Sequence, residues 1–407
     1  MTSQMTPWLP DLPATWDRAQ IRRVAEIRNG TDYKEVEVAE GGYPVYGSGG
    51  EFRRAGRYLF DGESVLFGRK GTIDKPRHVT GRFWTVDTMF YTDLNREKVV
   101  PRYLYYYATI MPFGLYATST ALPSVTGAQL AGHTMPLPPL EVQKAIADYL
   151  DRETARIDTL IEEQQRLIEL LRERRLSLIH RAVGGSDEQD LHHTEDSWWP
   201  TLPSGWQVVH LRRVLRGLAD GPHFSPNYVN DGVMFLSARN IKVDGWSLDD
   251  AKFVSEADAE EFSKRVVPEF EDVLYTKGGT TGIARVVDLD APFQVWVHVA
   301  VLKLRRELVD PYFLAYALNS GPCYDQSQLY TRGATNNDLG LTRMVNIAVP
   351  LPPVEEQRRI AAHLREETAK IDNLMSEAER FIELSRERRG ALIAAAVTGQ
   401  IDVREVA

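Results

Sequence analysis

The sequence predicts an α+β protein: two mixed α/β domains with mainly β cores, separated by two long helices that pair as an antiparallel coiled coil, with a pseudo-two-fold internal repeat. Three observations carry this. The stretch PLPPLEVQKAIADYL at 136–150 recurs as PLPPVEEQRRIAAHL at 350–364, and at that offset of 214 residues 135–185 and 349–399 agree at 29 of 51 positions without a gap. A second echo, at an offset of 190, pairs Trp8-x-Pro10-x-Leu12-Pro13-x-x-Trp16 with Trp198-x-Pro200-x-Leu202-Pro203-x-x-Trp206, and Arg22-Arg23-Val24 with Arg212-Arg213-Val214. Between the echoes the texture changes to short β-like runs broken by glycine. Offsets this long exceed a solenoid unit, so the chain is a duplicated half-protein: a variable domain and then a constant segment, twice.

The first domain spans 1–137. Its runs 43–52, 64–73, 81–92 and 102–109 are rich in aromatic and β-branched residues and read as strands. The first long helix follows over 138–185. Pro138 and Pro139 sit just before or at its first turn, Glu141 places negative charge near its N-terminus, and Gly184 and Gly185 mark its end. A polar linker covers 186–197. The second domain covers 198–351, with strand-like runs at 233–243, 271–287 and 293–304. The second helix and a tail occupy 352–407, ending near Gly399.

Apolar residues recur through the first helix at Ile146, Leu150, Ile157, Leu160, Ile161, Leu167, Ile168, Leu171 and Leu178. In the second they fall at Ile360, Leu364, Ile371, Leu374, Met375, Phe381, Ile382 and Leu392. Spacings of three and four alternate, as in a coiled-coil seam. Some forty residues at about 1.5 Å each give a rod of roughly 60 Å. Connectivity sets direction: helix one delivers the chain to the second domain, so a paired helix two runs antiparallel and returns the C-terminus beside the first domain. Leu170 and Leu384 flank the seam as candidate interface residues. The RERR runs at 172–175 and 386–389 are expected to be solvated flank with short-range ion pairs such as Glu169 with Arg172, in preference to a nucleic-acid contact.

With 43% hydrophobic residues, 407 positions supply a core for each domain. No apolar run is long enough to cross a membrane and the N-terminal stretch lacks signal-peptide features, so the expected compartment is the cytoplasm. The single Cys323 excludes an intrachain disulfide and a cysteine-based zinc site. The net charge of −9 argues against a polyanionic partner as an average. Locally, however, residues 53–82 hold eight Lys/Arg against three acids, a candidate basic face. Catalytic signatures are absent: there is no Walker loop, dinucleotide fingerprint, G-x-S-x-G elbow or H-E-x-x-H pair, and no N/D-P-P loop of an adenine methyltransferase. His192-His193 reads as linker, with no metal site expected. The chain is expected to bind and arrange, without enzymatic activity or a cofactor of its own.

Two glycine turns, GRKGT at 68–72 and TKGGTTG at 276–282, each follow an apolar strand. Either each is a hairpin turn only, or its tip also presents a cation and small polar groups to a partner.

These features resemble the DNA specificity subunits of type I restriction-modification systems. The resemblance covers essentially the whole chain and rests on the twice-used PLPPxxxQxxIAxxL, on ETAxID (Glu153–Asp158 and Glu367–Asp372), on IELxRERR, and on the LPxxW domain starts. It implies that each variable domain is a target recognition domain reading one half of a bipartite, asymmetric duplex DNA target. The helical pair would space the half-sites and dock two methyltransferase (modification) subunits. S-adenosylmethionine, ATP and Mg would then sit on partner subunits, ATP on a restriction (motor and nuclease) subunit. The candidate DNA contacts in the first domain are Tyr46, Ser48, Arg53, Arg69, Lys70 and Lys75 with Thr118, Ser119 and Thr120. In the second they are His223, Arg239, Asn240, Lys277, Thr280, Arg332, Asn336 and Asn337, since Arg suits guanine and Asn suits adenine. The acidic stretch 247–262 and a charge near −3 over 200–349 imply weak DNA binding by the subunit alone. The alternative from another class is a coiled-coil adaptor whose end domains bind proteins.

Overall fold

In a computed structural model, which describes residues 9–116, 122–186, 188–333 and 337–406, the chain divides into two compact units. One comprises residues up to 165 together with 379 onward, and the other 166–378. Thr118, Ser119, Thr120 and Asn336 lie outside the described residues.

In the first unit a sheet runs in the order Ala25–Asn29, Met89–Leu94, Phe60–Gly68, Arg77–Thr85, Tyr43–Gly47, Gly50–Ala55 and Glu37–Val38. The second unit repeats the first four positions of that order with Leu215–Asp220, Val299–Leu304, Val273–Thr276 and Ala284–Val286. The two diverge beyond that point. The second unit places Lys252–Val254, Val233–Leu236 and Phe293–Val295 in a separate three-stranded sheet. A short antiparallel pair closes each domain, Asp17–Gln20 with Thr134–Leu137 and Gln207–His210 with Ala348–Leu351.

One predicted strand is a helix. Residues 102–109 belong to Pro101–Thr109, whose Tyr103, Leu104, Tyr107 and Ala108 are buried at helical spacing. Proline at the first helical position is the signal that outweighs the aromatic content, and Pro311–Leu318 does the same in the second unit behind the Asp310 cap. The linker histidines form a small hairpin strand, Leu191–His193, against Thr201–Pro203, and are exposed.

The long helices are Leu140–Gly184 and Val354–Val397. Within each unit the start of one packs with the end of the other. In the first, Ile146 and Leu150 share a core with Ile393, Ala396 and Val397. In the second, Ala361 and Leu364 share a core with Ile179 and Val183. Asp158 meets Arg389 at 3.0 Å in the first unit, and Arg175 donates to Asp372 at 2.9 Å in the second, so the helices are antiparallel. Each pair joins the aspartate of one ETAxID to the last arginine of the opposite RERR. Arg172, Glu173 and Arg174 are solvated as expected, whereas Arg175 is half-buried and makes this cross-helix fork.

The repeated glutamine has an equally specific role. Gln143 is buried, accepts from Val100 N at 2.8 Å and donates to the carbonyls of Lys98 and Pro138. Gln357 does the same with Asp310 N, Leu308 and Pro352. Each amide side chain thereby stitches a helix start to the loop preceding its own domain's proline-led helix.

The buried seam comprises Ile157, Ile168 and Leu171 in one helix and Ile371, Ala378 and Ile382 in the other. Leu160, Leu167, Leu374 and Phe381, expected in the seam, are exposed along with Leu170 and Leu384. At about 100° per residue, Leu160 and Leu374 are turned roughly 60° from Ile157 and Ile371, and Leu167 and Phe381 roughly 100° from Ile168 and Ile382, which takes them off the buried stripe.

His133 closes the core of the first domain between the hydroxyls of Tyr107, 2.7 Å from Nε2, and Tyr116, near Nδ1. It is only 2% exposed, and burial pushes its pKa down to about 4. The folded value lies below the unfolded value of about 6.5, so the unfolded chain binds more protons between the two. The first unit is therefore expected to lose on the order of 2 kcal/mol as pH falls from about 6.5 to about 4. Denaturant titrations across that window check this, and H133Q should flatten the dependence.

Candidate nucleic-acid interface

Each glycine turn is the tip of a hairpin, between Phe60–Gly68 and Arg77–Thr85 in the first domain and between Val273–Thr276 and Ala284–Val286 in the second. Both tips are clamped identically by the segment that precedes the repeated helix. Val125 N donates to Arg69 O at 3.0 Å, and Leu339 N donates to Lys277 O at 2.7 Å. The other side of each tip is held by the residue before the last sheet strand. Arg69 N donates to Thr88 O at 2.8 Å, and Lys277 N to His298 O at 2.8 Å. Backbone bonds of this kind hold the same frame whatever side chains it carries.

In the first domain the frame brings together Ser48, the Arg69–Gly71 tip and Pro123–Ser124. Gly71 N donates to Pro123 O at 2.9 Å, Lys70 bridges Ser124, and Ser48 lies against Gly71. Arg69 and Lys70 are exposed, with the Arg69 guanidinium 5.9 Å from the Phe90 ring. Arg77, not among the expected contacts, donates to Gly49 O at 3.0 Å, pinning the tip that carries Ser48. Only its place in the basic run pointed to it. Lys75 is exposed beside Arg77 and His78 along a shallow concavity of about 490 Å³. Tyr46 is half-buried with its ring 6.2 Å from Phe83, a packing position. Arg53 is paired with Glu37 at 3.1 Å on the outer part of the sheet. Neither joins the tip.

In the second domain Arg239, Asn240, Thr280 and Asn337 line one concavity of about 890 Å³. Two of the expected contacts need correction. Asn240 is buried: its Oδ1 accepts from Ser237 N and its Nδ2 donates to Ser247 O, so its amide caps a turn and is not free to read adenine. Lys277 is 5% exposed, with Nζ 3.0 Å from Asp338 and 3.4 Å from Asp220, so its charge is neutralised internally. A cation in a glycine turn looks partner-facing in sequence; here two carboxylates from other segments claim it. His223 and Arg265 both hydrogen-bond Asp220. Burial alone would raise the Asp220 pKa, but those hydrogen bonds and the Lys277 charge hold it below the usual carboxylate range. Arg332 is exposed, its backbone bridged to Asp338. The concavity also gathers Lys242, Lys252, Trp296 and His298, which sequence reasoning passed over because WVHV reads simply as strand.

Among the described residues no group of three His, Cys, Asp or Glu side chains is placed to hold a metal, and no helix is long and apolar enough to cross a membrane.

Fold and site define a duplicated recognition module: one backbone frame, built twice, presenting different side chains each time. A family model described as the type I restriction modification DNA specificity domain matches residues 13–171 and 203–379, and the chain belongs to that family, a carrier of DNA sequence specificity. Among curated relatives, the type I restriction enzyme MjaVIII specificity subunit of Methanocaldococcus jannaschii is 24% identical over 86% of this chain and 79% of its own length. The EcoBI specificity subunit of Escherichia coli is 22% identical over 95% and 86%. Among solved structures, a chain from work on complex assembly and conformational transition of the type I R-M system superposes with a TM-score of 0.68 at 18% identity, covering 96% of this chain and 100% of that one. The HsdS subunit from Thermoanaerobacter tengcongensis gives 0.52 at 18%, covering 98% and 100%.

Proposed function

We propose that this chain is the non-catalytic recognition subunit of a type I restriction-modification complex in the cytoplasm, each domain reading one half of a bipartite, asymmetric duplex target. The observation that supports this is the shared clamp around Arg69 and Lys277: an identical frame with unlike side chains suits two readers of unlike half-sites. In the same proposal the long helices set the half-site spacing and dock two methyltransferase subunits. S-adenosylmethionine, ATP and Mg are held by the modification and restriction subunits. Each unit exposes one copy of an apolar set, Leu160, Phe381 and Leu384 in the first and Leu374, Leu167 and Leu170 in the second, related by the 214-residue offset. Exposed apolar patches of this kind suit a partner present in two copies. Native mass spectrometry of the chain with its modification subunit tests the arrangement. Two modification subunits per chain are expected, falling to one in L170D, where an exposed residue is changed. A wild-type ratio of one to one would contradict it.

A further inference from the structure

The most telling difference between the two frames is the tripeptide before the last sheet strand. Val86, Asp87 and Thr88 occupy it in the first domain; Trp296, Val297 and His298 occupy it in the second. The equivalence is set by backbone bonds: Met89 N donates to Val86 O at 3.0 Å and Val299 N to Trp296 O at 2.9 Å, while Thr88 O and His298 O accept from the two glycine tips. Only the second domain therefore places two large ring side chains at this point, and both face the concavity of about 890 Å³.

Their polar atoms are unspent. Trp296 Nε1 and His298 Nδ1 are buried without a hydrogen-bond partner, His298 Nδ1 packed against the Gly278 backbone. The rings lie edge to face at 4.9 Å. A buried donor left without a partner is unfavourable, and at the wall of a concavity a ligand can complete the pairing. Burial, then the nearby Lys277 charge, lowers the His298 pKa, which leaves a neutral ring with one donor and one acceptor. Around the same concavity Arg239, Lys242 and Lys252 are exposed, outnumbering the carboxylate of Asp250, and among the described residues no ion pair engages the three cations. Unpaired cations around an aromatic wall with spare hydrogen-bonding atoms fit a nucleotide, phosphate to the cations and base to the rings.

We propose that Trp296 and His298 are specificity-determining residues of the second domain, contacting one base of its half-site, with the indole N–H donating to an acceptor on that base. This rests on the two-reader function above.

The test is the methylated motif produced by the full complex on a randomised duplex library, read for wild type, W296F and H298T. W296F keeps the ring and removes the donor; H298T installs the residue that the first frame carries. The expected result is that discrimination at one position of one half-site falls about tenfold or more, while the other half-site and the spacer are unchanged. The intact half-site then reports folding and assembly. If W296F fails to assemble, H298T carries the same comparison. A wild-type bipartite motif that both variants reproduce at every position would overturn the inference. A wild type that yields no bipartite motif would overturn the two-reader function itself.

Discussion

A Gly185→Ala variant is expected to lose about 3–5 kcal/mol of stability, seen as an earlier denaturant midpoint for the second unit. Gly185 ends the first long helix with φ of 63°, in the left-handed region. Its N–H donates to Ala182 O, and Ser186 N donates to Arg181 O, closing the helix with a Schellman pair. A β-carbon there would stand 2.2 Å from Pro203 Cγ and 3.2 Å from Trp206. The pyrrolidine ring cannot rotate aside, so overpacking adds to the backbone cost. Gly205 is the control. It has φ of 89° with nothing within 4 Å of an added β-carbon, so Gly205→Ala is expected to cost only about 1–2 kcal/mol. Gly399 repeats the arrangement in the first unit, with φ of 73° and Pro13 at 2.6 Å. Equal effects at Gly185 and Gly205 would show that the proline contact contributes nothing.

Lys277→Met is expected to cost about 3 kcal/mol at neutral pH. Methionine matches the stem but removes the charge that sits between Asp220 and Asp338 and donates to Val297 O at 3.3 Å. Asp220 keeps Arg265 and His223 as partners; Asp338 keeps Arg343. Even so, a buried carboxylate loses one of its compensating charges. Asp220 has a folded pKa below its unfolded value, so its contribution is present above about pH 4 and is lost as pH falls through the folded value. Removing Lys277 should shrink that contribution, flattening the acid limb as well as lowering the plateau. Urea titrations of both proteins at pH 7 and near pH 3.5 check this; a loss below about 1 kcal/mol at pH 7 would contradict the account.

The duplicated helices were legible because periodicity and repetition act locally along the chain. So were the proline starts, the glycine ends and the hairpin tips, each set by backbone preferences of a few residues. Phase within the helix was harder. Leu167 and Ile168 are apolar neighbours, and only packing turns Ile168 inward and leaves Leu167 exposed. The Tyr-rich stretch after Pro101 reads as strand because aromatic content favours strands on average, while proline at the first position and a core at helical spacing favour the helix it forms. Charge was the least legible feature of all. Lys277 and Arg175 both look available in sequence, yet carboxylates more than fifty residues away claim them. The reverse holds for Trp296 and His298, whose spare polar atoms become visible only when their neighbours are in place.

The measurement that tests the central claim most directly is a genome-wide map of N6-methyladenine in cells with and without this gene, with the modification subunit present in both. Loss of one methylated motif made of two short, unlike half-sites around an unspecified spacer is the predicted result. Unchanged adenine methylation despite an active modification subunit would contradict the account and leave a protein-binding adaptor in its place.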